Sequence, residues 1–206
     1  MCGALTALPT PPRVLVCASA TGFYGDRGAE WLDETSAPGT GFLADLSREW
    51  EAATALAAAA GVRVVHLRFG IVLARHGGAL AKMLPAFKLG VAGRLGDGDA
   101  YWSWIGLDDV LGVIEHALTN GMLSGPVNAV SPNPVTNRQF TATLGRILHR
   151  PTLLPMPRFA VEWLFGEMGR EALLASFRCR PTKLVTSGFT FRFPNLESAL
   201  RRALER

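Results

Sequence analysis

The apolar residues of this chain fall into short continuous runs and into stretches with helical spacing. Residues 13–18 form a continuous run with β-branched side chains, which is typical of a strand buried on both faces of a parallel sheet. From Phe42 the apolar positions recur three and four residues apart until Gly61, and this spacing predicts an amphipathic helix. Residues 62–68 predict a second strand. Because a strand, a helix and a strand follow one another at these lengths, we expect a right-handed crossover unit and an α/β fold.

The same patterns continue towards the C-terminus. They predict, in order, a helix over 78–90 kinked at Pro85, an aromatic strand over 101–105, a helix capped by Asp108 that ends near Asn120, and a third sheet strand over 126–130. After Ser131 the chain changes character, with a helix capped by Thr136, a proline-bounded connector and further helices. We therefore expect one unit over residues 1–130 and a mostly helical one over residues 131–206.

The composition excludes several classes of protein. The chain has 206 residues, of which 49% are hydrophobic and 18% charged, so it can bury the core of one sizeable domain and is not disordered. No stretch reaches the roughly 18 uncharged apolar residues of a membrane span. The N-terminus carries no readable signal or transit peptide, and we expect a cytoplasmic protein.

Charge and metal-ligating residues add little to this picture. The net charge of +4 permits an anionic ligand without requiring nucleic acid. The arginines near the C-terminus, Arg201, Arg202 and Arg206, are explained by a favourable interaction with the dipole of the last helix, and a nucleic-acid patch is the alternative. The cysteines are far apart and the histidines show no ligand spacing, so we expect no disulfide and no metal site.

The first predicted strand leads into Ser19-Ala20-Thr21-Gly22-Phe23-Tyr24-Gly25, which has the outline of a dinucleotide-binding turn. That turn needs a glycine at its first position and opens directly into an apolar helix, whose N-terminus meets the pyrophosphate. Here the first position is Ser19, and an acidic segment rich in loop formers follows Gly25. The segment therefore does not predict a pyrophosphate site.

The stretch from Ser19 to Asp26 instead resembles the strand end and Tyr-Gly of the extended short-chain dehydrogenase/reductase superfamily, in its NAD-dependent epimerase/dehydratase family. Later segments resemble a sugar-epimerase-like subgroup that ends in a small helical domain of unknown function. They are Trp50-Glu51-Ala52-Ala53, Leu67-Arg68-Phe69-Gly70-Ile71-Val72-Leu73, Gly77-Gly78-Ala79-Leu80, Met83-Leu84-Pro85-Ala86-Phe87, Ser103-Trp104-Ile105 and Asp108-Asp109. The resemblance implies a partial Rossmann-like parallel sheet with flanking helices, and NAD or NADP as the cofactor.

This sequence departs from the family pattern in three ways. It begins well past the strand and glycine-rich turn that bind the adenosine half of NAD(P), so the resemblance implies that the N-terminal cofactor-binding half is missing. We then expect the chain alone to bind the dinucleotide with a millimolar or weaker constant, about 4 kcal/mol or less. The usual Tyr-x-x-x-Lys of the superfamily is absent, since that region reads Phe42-Leu43-Ala44-Asp45-Leu46. Gly106 stands where relatives usually have a histidine.

Three residues near the end of the first strand are the catalytic candidates. Ser19 and Thr21 lie at the C-terminal end of a predicted parallel strand, where open α/β sheets place their ligands. Their hydroxyls can hold a substrate carbonyl or alcohol, or they satisfy local backbone groups. Tyr24 can donate a proton if a cation such as Arg68 approaches it, and the alternative is a packed tyrosine with a single hydrogen bond.

The resemblance also assigns cofactor-binding candidates. It implies that Arg68, Phe69 and Gly70 lie beside the nicotinamide, with Gly70 permitting a close approach of the backbone. A structural ion pair is the alternative for Arg68.

On the substrate side, three further residues are candidates. The guanidinium of Arg94 can bind a phosphate or a carboxylate, unless it is a solvated loop residue. Trp102 and Trp104 alternate on one strand face, where they either stack on a sugar ring or pack in the core.

These observations predict an epimerase- or dehydratase-like, NAD(P)-dependent oxidoreductase that acts on a small polar molecule such as a sugar. We expect it to be inactive unless the missing half completes it. The alternative from another class is a non-catalytic module that binds a protein partner through a free sheet edge or the helical tail. The expected partners are a small-molecule substrate and either a separate N-terminal half or a second copy of the chain, with no nucleic acid and no membrane.

Overall fold

The computed structural model describes Gly3 and residues 8–205, with the backbone alone for residues 164, 165 and 167–169. The strands are β1 (Val14–Ala20), β2 (Trp31–Leu32), β3 (Arg63–Phe69), β4 (Ile71–Leu73), β5 (Tyr101–Trp102), β6 (Trp104–Gly106), β7 (Gly125–Ala129), β8 (Val135–Thr136) and β9 (Arg178–Cys179). The α-helices are α1 (Phe42–Ala52), α2 (Ala55–Ala59), α3 (Gly78–Lys88), α4 (Leu107–Thr119), α5 (Asn137–Leu148), α6 (Arg158–Met168), α7 (Thr182–Thr186) and α8 (Leu196–Leu204). A 3-10 helix covers Thr21–Tyr24, and a π-helix covers Gly169–Leu174.

A three-stranded parallel sheet in the order β1, β3, β7 forms the centre of the molecule. Alternate residues of a strand face opposite sides of the sheet. On β3, Val65 and Leu67 pack against α4, whereas Val64 packs with Ala57 of α2 on the other face. Helices therefore cover both faces, as the continuous apolar runs predict, and the α/β class is confirmed.

A second apolar core lies where α3, α5 and α8 meet the short strands β4, β5 and β6. Its largest fully buried side chains are Trp104, Phe140, Leu73, Leu80, Leu144, Ile147 and Leu200. Two small ladders, β5 with β8 and β2 with β9, each join a segment before residue 131 to one after it. The domain boundary near 131 stays a prediction.

Two elements are shorter than the sequence predicts. The helix that begins at Phe42 is interrupted after α1, where the buried Thr54 hydroxyl donates to the Glu51 carbonyl oxygen and lies 2.8 Å from His66 Nε2. The aromatic strand is broken at Ser103, which separates β5 from β6. The cap at Thr136 is confirmed, because its side chain accepts from the backbone N–H of Gln139 while the Gln139 side chain accepts from that of Thr136.

The predicted cap at Asp108 is wrong. Helix α4 begins at Leu107 with Gly106 at the N-cap position, two residues earlier than a cap at Asp108 requires, and Asp108 pairs with Arg202 at 2.7 Å. The buried neighbour Asp109 has the structural role instead, because its two carboxylate oxygens accept the backbone N–H groups of Arg192 and Phe193 at 2.7 and 3.1 Å. Asp109 therefore fixes the segment that leads into α8.

Replacing Asp109 tests this anchor. In Asp109→Ala two backbone N–H groups lose their acceptor inside the protein, so we expect the free energy of unfolding to fall by about 2–4 kcal/mol. Asp108→Ala is the matched control, because it removes only an exposed ion pair and is expected to change stability little. Urea unfolding measures both, and an equal loss in the two variants would contradict the assignment.

Candidate functional site

The register of the sheet brings three polar side chains into one row. Ser19 of β1 lies opposite Arg68 of β3, and Arg68 lies opposite Asn128 of β7. This row faces α1, because Glu51 of that helix contacts both Ser19 and Arg68. The Ser19–Arg68–Asn128 row lies near the C-terminal ends of the parallel strands, which is where open α/β sheets bind their ligands.

Arg68 is the centre of the hydrogen bonds in this row. Its Nε and Nη2 donate to the two carboxylate oxygens of Glu51, each at 2.8 Å. Its Nη1 donates to the Tyr24 hydroxyl at 3.0 Å, and its guanidinium carbon lies 3.4 Å from the centre of the Phe23 ring. The side chains of Arg68 and Glu51 are only 4% and 12% exposed. This is the structural ion pair that the sequence leaves open as an alternative for Arg68.

Glu51 is held in its charged form. Burial alone would raise the pKa of its carboxyl group, but the hydrogen bonds from Arg68 and Ser19 and the charge of Arg68 outweigh burial and lower it. The Ser19 hydroxyl donates to Oε1 of Glu51 at 2.7 Å. The carboxylate therefore connects the buried guanidinium to a hydroxyl at the end of β1.

Tyr24 lies inside the protein and is fully buried. Its hydroxyl donates to Oδ1 of Asn128 at 2.7 Å and accepts from Arg68. Burial raises the pKa of the Tyr24 phenol well above its ordinary value, and this effect outweighs the nearby charge of Arg68. The geometry is that of a packed, doubly hydrogen-bonded tyrosine.

Asn128 extends the network to the C-terminal part of the chain. Its Nδ2 donates to the carbonyl oxygen of Arg180 at 2.9 Å. Its backbone N–H donates to Oε1 of the buried Glu34, which also accepts the backbone N–H of Lys183. Burial raises the pKa of Glu34, although these N–H donors act in the opposite direction. The row therefore fixes the loop around Glu34 and the segment after β9 relative to the sheet.

A cavity of about 330 Å³ opens at the strand ends beside this row, and we call it the strand-end cavity. One side is the end of β1 and the turn after it, and the opposite side is a face of α1 formed by Leu43, Leu46, Ser47 and Trp50. Residues 70–71, 102–103, 172 and 177 complete the wall. Within the described part of the chain no ionisable side chain lines this cavity.

Gly70 is required by the path of the chain at the cavity wall. A Cβ at this position would lie 2.4 Å from the Ser103 carbonyl oxygen, much closer than real contacts allow. The backbone N–H of Ile71 donates to the same oxygen at 2.8 Å. The close approach that Gly70 permits is therefore an approach to the chain's own backbone.

The structure brings four of the predicted site residues to the cavity. They are Ser19, Thr21, Gly70 and Trp102.

The other five predicted site residues do not line this cavity, and the roles predicted for them stay predictions. Tyr24 and Arg68 belong to the buried network, and Phe69 packs against the core around β3 and β7. Trp104 is fully buried and donates to the Asn133 carbonyl oxygen. Arg94 lines a separate hollow of about 270 Å³ together with Arg138.

Sequence reasoning misses the α1 side of the cavity and Glu51. The spacing of Leu43, Leu46 and Trp50 predicts a buried helix face, whereas Trp50 is 58% exposed at the cavity. The one sequence signal for Glu51 is its position after Trp50, in a segment that resembles the family. Its partner Arg68 lies 17 residues away and meets it only because the chain crosses over between β1 and β3.

The segment after β1 does not have the form of a pyrophosphate turn. The chain leaves β1 through the 3-10 helix and enters its next α-helix only at Phe42. Gly25 ends the 3-10 helix with a φ of 62°, a conformation that favours glycine. This agrees with the interpretation of the sequence.

Comparison with known proteins relates nearly the whole chain to one group of sequences. Residues 156–203 match a family model described as a domain of unknown function (DUF1731). The chain is 44% identical over 192 residues to Epimerase family protein Mb2239 of Mycobacterium bovis, an alignment that covers 93% of this chain and 64% of that protein. It is 35% identical over 199 residues to Epimerase family protein SDR39U1 of Homo sapiens, covering 96% of this chain and 68% of that protein.

Solved structures agree with this result. The human epimerase family protein SDR39U1 (isoform2), crystallised with NADPH, superimposes with a TM-score of 0.94 at 32% identity, covering 100% of this chain and 70% of that one. The nucleoside-diphosphate sugar epimerase from Corynebacterium glutamicum gives a TM-score of 0.80 at 35% identity, covering 98% and 40%. Fold and site together define an α/β protein with a Rossmann-like parallel sheet and a cavity at its strand ends. The chain belongs to the epimerase family that includes SDR39U1.

The family and the C-terminal domain of unknown function predicted from the sequence are thus confirmed. The chain spans about 64% of the length of the mycobacterial relative. That an N-terminal cofactor-binding half is missing from it stays a prediction. In the described residues there is no helix with the length and apolar character that a membrane crossing needs. A cytoplasmic location also stays a prediction, and one plant relative is described as chloroplastic.

A double-mutant cycle tests the ion pair on which this site rests. Arg68→Met leaves the Glu51 carboxylate buried without its partner, so we expect the free energy of unfolding to fall by about 3–5 kcal/mol. Adding Glu51→Met replaces the whole pair by apolar side chains of similar length, and most of the loss should be recovered. Urea unfolding of the two single variants and the double variant measures the coupling. A double variant no more stable than Arg68→Met would contradict the assignment.

Proposed function

We propose that the strand-end cavity is the reaction site of an NAD(P)-dependent oxidoreductase of the epimerase family. The observation that carries this proposal is the position of the cavity at the C-terminal ends of β1 and β3. The match to human SDR39U1, which was crystallised with NADPH, supports it. When bound, NAD(P) would supply a hydride donor or acceptor at its nicotinamide ring.

The described residues fit the nicotinamide end of the cofactor. That ring is flat and mainly apolar with one carboxamide, and the wall offers apolar side chains together with the Ser19 and Thr21 hydroxyls. A diphosphate needs cations or a free helix N-terminus. No cation lines this cavity in the described part of the chain, and the first backbone N–H groups of α1, at Phe42 and Leu43, already donate to Glu171. We therefore propose that this chain by itself holds the nicotinamide end and binds the dinucleotide weakly.

The chain's own residues would position the substrate. Ser19 and Thr21 are the proposed catalytic hydroxyls, since both lie on the cavity wall at the end of β1. Trp102 and Trp50 supply aromatic surface on which a ring can pack. Tyr24 and Arg68 act from behind the wall, where they hold Ser19 and α1 in place.

A titration with NADPH tests the proposed function. We expect the backbone amide signals of Gly22 and Gly70 to shift with a dissociation constant of about 1 mM or higher, which corresponds to about 4 kcal/mol or less. Ala20 is exposed and lines the cavity, so Ala20→Trp should fill the entrance without disturbing the core and raise the constant at least about tenfold. Nuclear magnetic resonance of the 206-residue chain measures both effects.

Arg94→Ala is the matched control, because Arg94 lines a different hollow and its loss should leave NADPH binding unchanged. Shifts confined to residues outside the strand-end cavity, or none at all, would contradict the proposal. The absence of any shift is also what the alternative of a non-catalytic interaction module predicts. A micromolar constant would contradict the proposed weak binding by this chain alone.

A further inference from the structure

The serine hydroxyls of the strand-end cavity already donate their protons within the protein. Ser47 donates to the Leu43 carbonyl oxygen, and Ser103 donates to the Phe177 carbonyl oxygen, both at 2.7 Å. Ser103 also accepts the backbone N–H of Cys179 at 2.9 Å, so its hydroxyl both donates and accepts within the protein. Ser19 donates to Glu51 at 2.7 Å. A ligand in this cavity therefore meets serine oxygens whose donor function is already used.

Ser19 differs from the other two serines in what it donates to. The hydrogen bond to a charged carboxylate is stronger than one to a carbonyl oxygen, and the carboxylate can only accept, so the single Ser19 proton stays directed at Glu51. The lone pairs of the Ser19 oxygen then remain available to the cavity that Ser19 lines. Such a hydroxyl binds a hydrogen-bond donor well and a carbonyl oxygen poorly.

The rest of the wall limits how polar a ligand can be. Among the hydroxyls that line the cavity, the one without a hydrogen bond in the described structure is that of Thr21, which can donate or accept. A sugar ring carries several hydroxyls, and each one left without a partner in an apolar site costs binding energy. The apolar side chains Leu43, Leu46 and Ile71 offer no such partners.

Charges near the cavity are balanced. The hollow on the other side of Gly22 and Leu43 is lined by Arg158 and Arg170, and also by Asp26 and Glu171. Glu171 accepts the first backbone N–H groups of α1, at Phe42 and Leu43, so this helix N-terminus already has its anion. A nucleotide-linked sugar therefore gains no net attraction from this side.

We propose that the strand-end cavity selects an uncharged, largely apolar alcohol that donates its hydroxyl to Ser19, with Glu51 as the positioning residue that makes Ser19 an acceptor. This deepens the proposed function, since it concerns the same cavity and names the class of its substrate. It replaces the polar, sugar-like substrate that the sequence predicts. Glu51 does not touch the ligand, and it acts through the direction of the Ser19 proton.

The experiment compares two neutral rings of nearly equal size, cyclohexanol and cyclohexanone, in the absence of NADPH. Only the alcohol can donate a hydrogen bond. We expect both to shift the backbone amides of Gly22 and Gly70, and the alcohol to bind about fivefold to tenfold more tightly, the effect of one neutral hydrogen bond. UDP-glucose, the charged sugar probe, should leave these amides unchanged at the same concentrations.

Variants then separate Ser19 and Glu51 from a general effect on the fold. Ser19→Ala removes the acceptor, so the two rings should bind within about twofold of each other because no hydrogen bond discriminates them. The double variant Glu51→Met, Arg68→Met frees the Ser19 proton, so cyclohexanone should gain affinity and the preference should again disappear. Glu51→Gln keeps an oxygen for Ser19 and should retain the preference. Arg94→Ala is the control outside the cavity and should also retain it.

Each contrary result overturns the proposal. For the unaltered chain, these results are equal binding of the two rings, or no shift at Gly22 and Gly70 with either ring. A preference for the alcohol that survives in Ser19→Ala is another. The last is binding of UDP-glucose in this cavity more tightly than either ring. Failure of the proposed function would give a different result from failure of this proposal. The chain would then not respond to NADPH, while its preference for the alcohol would persist.

Discussion

The buried charge of Arg68 is the constraint on which the rest of this site depends. A guanidinium that is 96% removed from solvent is stable only with a carboxylate and further hydrogen bonds around it. Glu51 supplies the carboxylate, the Tyr24 hydroxyl accepts the third donor, and the Phe23 ring covers the flat face of the guanidinium. Because Glu51 belongs to α1, this requirement fixes α1 over the ends of β1 and β3.

The same carboxylate gives the cavity its chemical character. Glu51 holds the Ser19 proton as well as Arg68, so one buried ion pair both closes the interior of the site and orients a hydroxyl on its wall. The superfamily's usual tyrosine and lysine are absent, and among the described residues no ionisable group lines the cavity. The charged group that reaches it through a hydrogen bond is Glu51, by way of Ser19.

The sequence predicts the parts of this molecule that depend on local pattern. The buried strands, the cap at Thr136 and the crossover between β1 and β3 follow from hydrophobic spacing and capping chemistry. The ends of long elements do not, because tertiary contacts such as the one between Thr54 and His66 decide them. Asp108 illustrates the same limit. An acidic residue near a helix start is typical of a cap, and the sequence does not show which partner its carboxylate takes.

The site could be predicted only in part for a related reason. Ser19 and Thr21 are found because strand ends are places where ligands bind. The pairing of Ser19, Arg68 and Asn128 depends on strand register, which the residues do not encode locally.

The buried ion pair is tested most directly by titrating the Glu51 carboxyl carbon by nuclear magnetic resonance. A depressed pKa means that the ion pair adds stability above the ordinary glutamate value of about 4.3 and loses it as the pH falls through the lowered value. We expect a midpoint below the ordinary value, and a midpoint at or above it would contradict the buried ion pair.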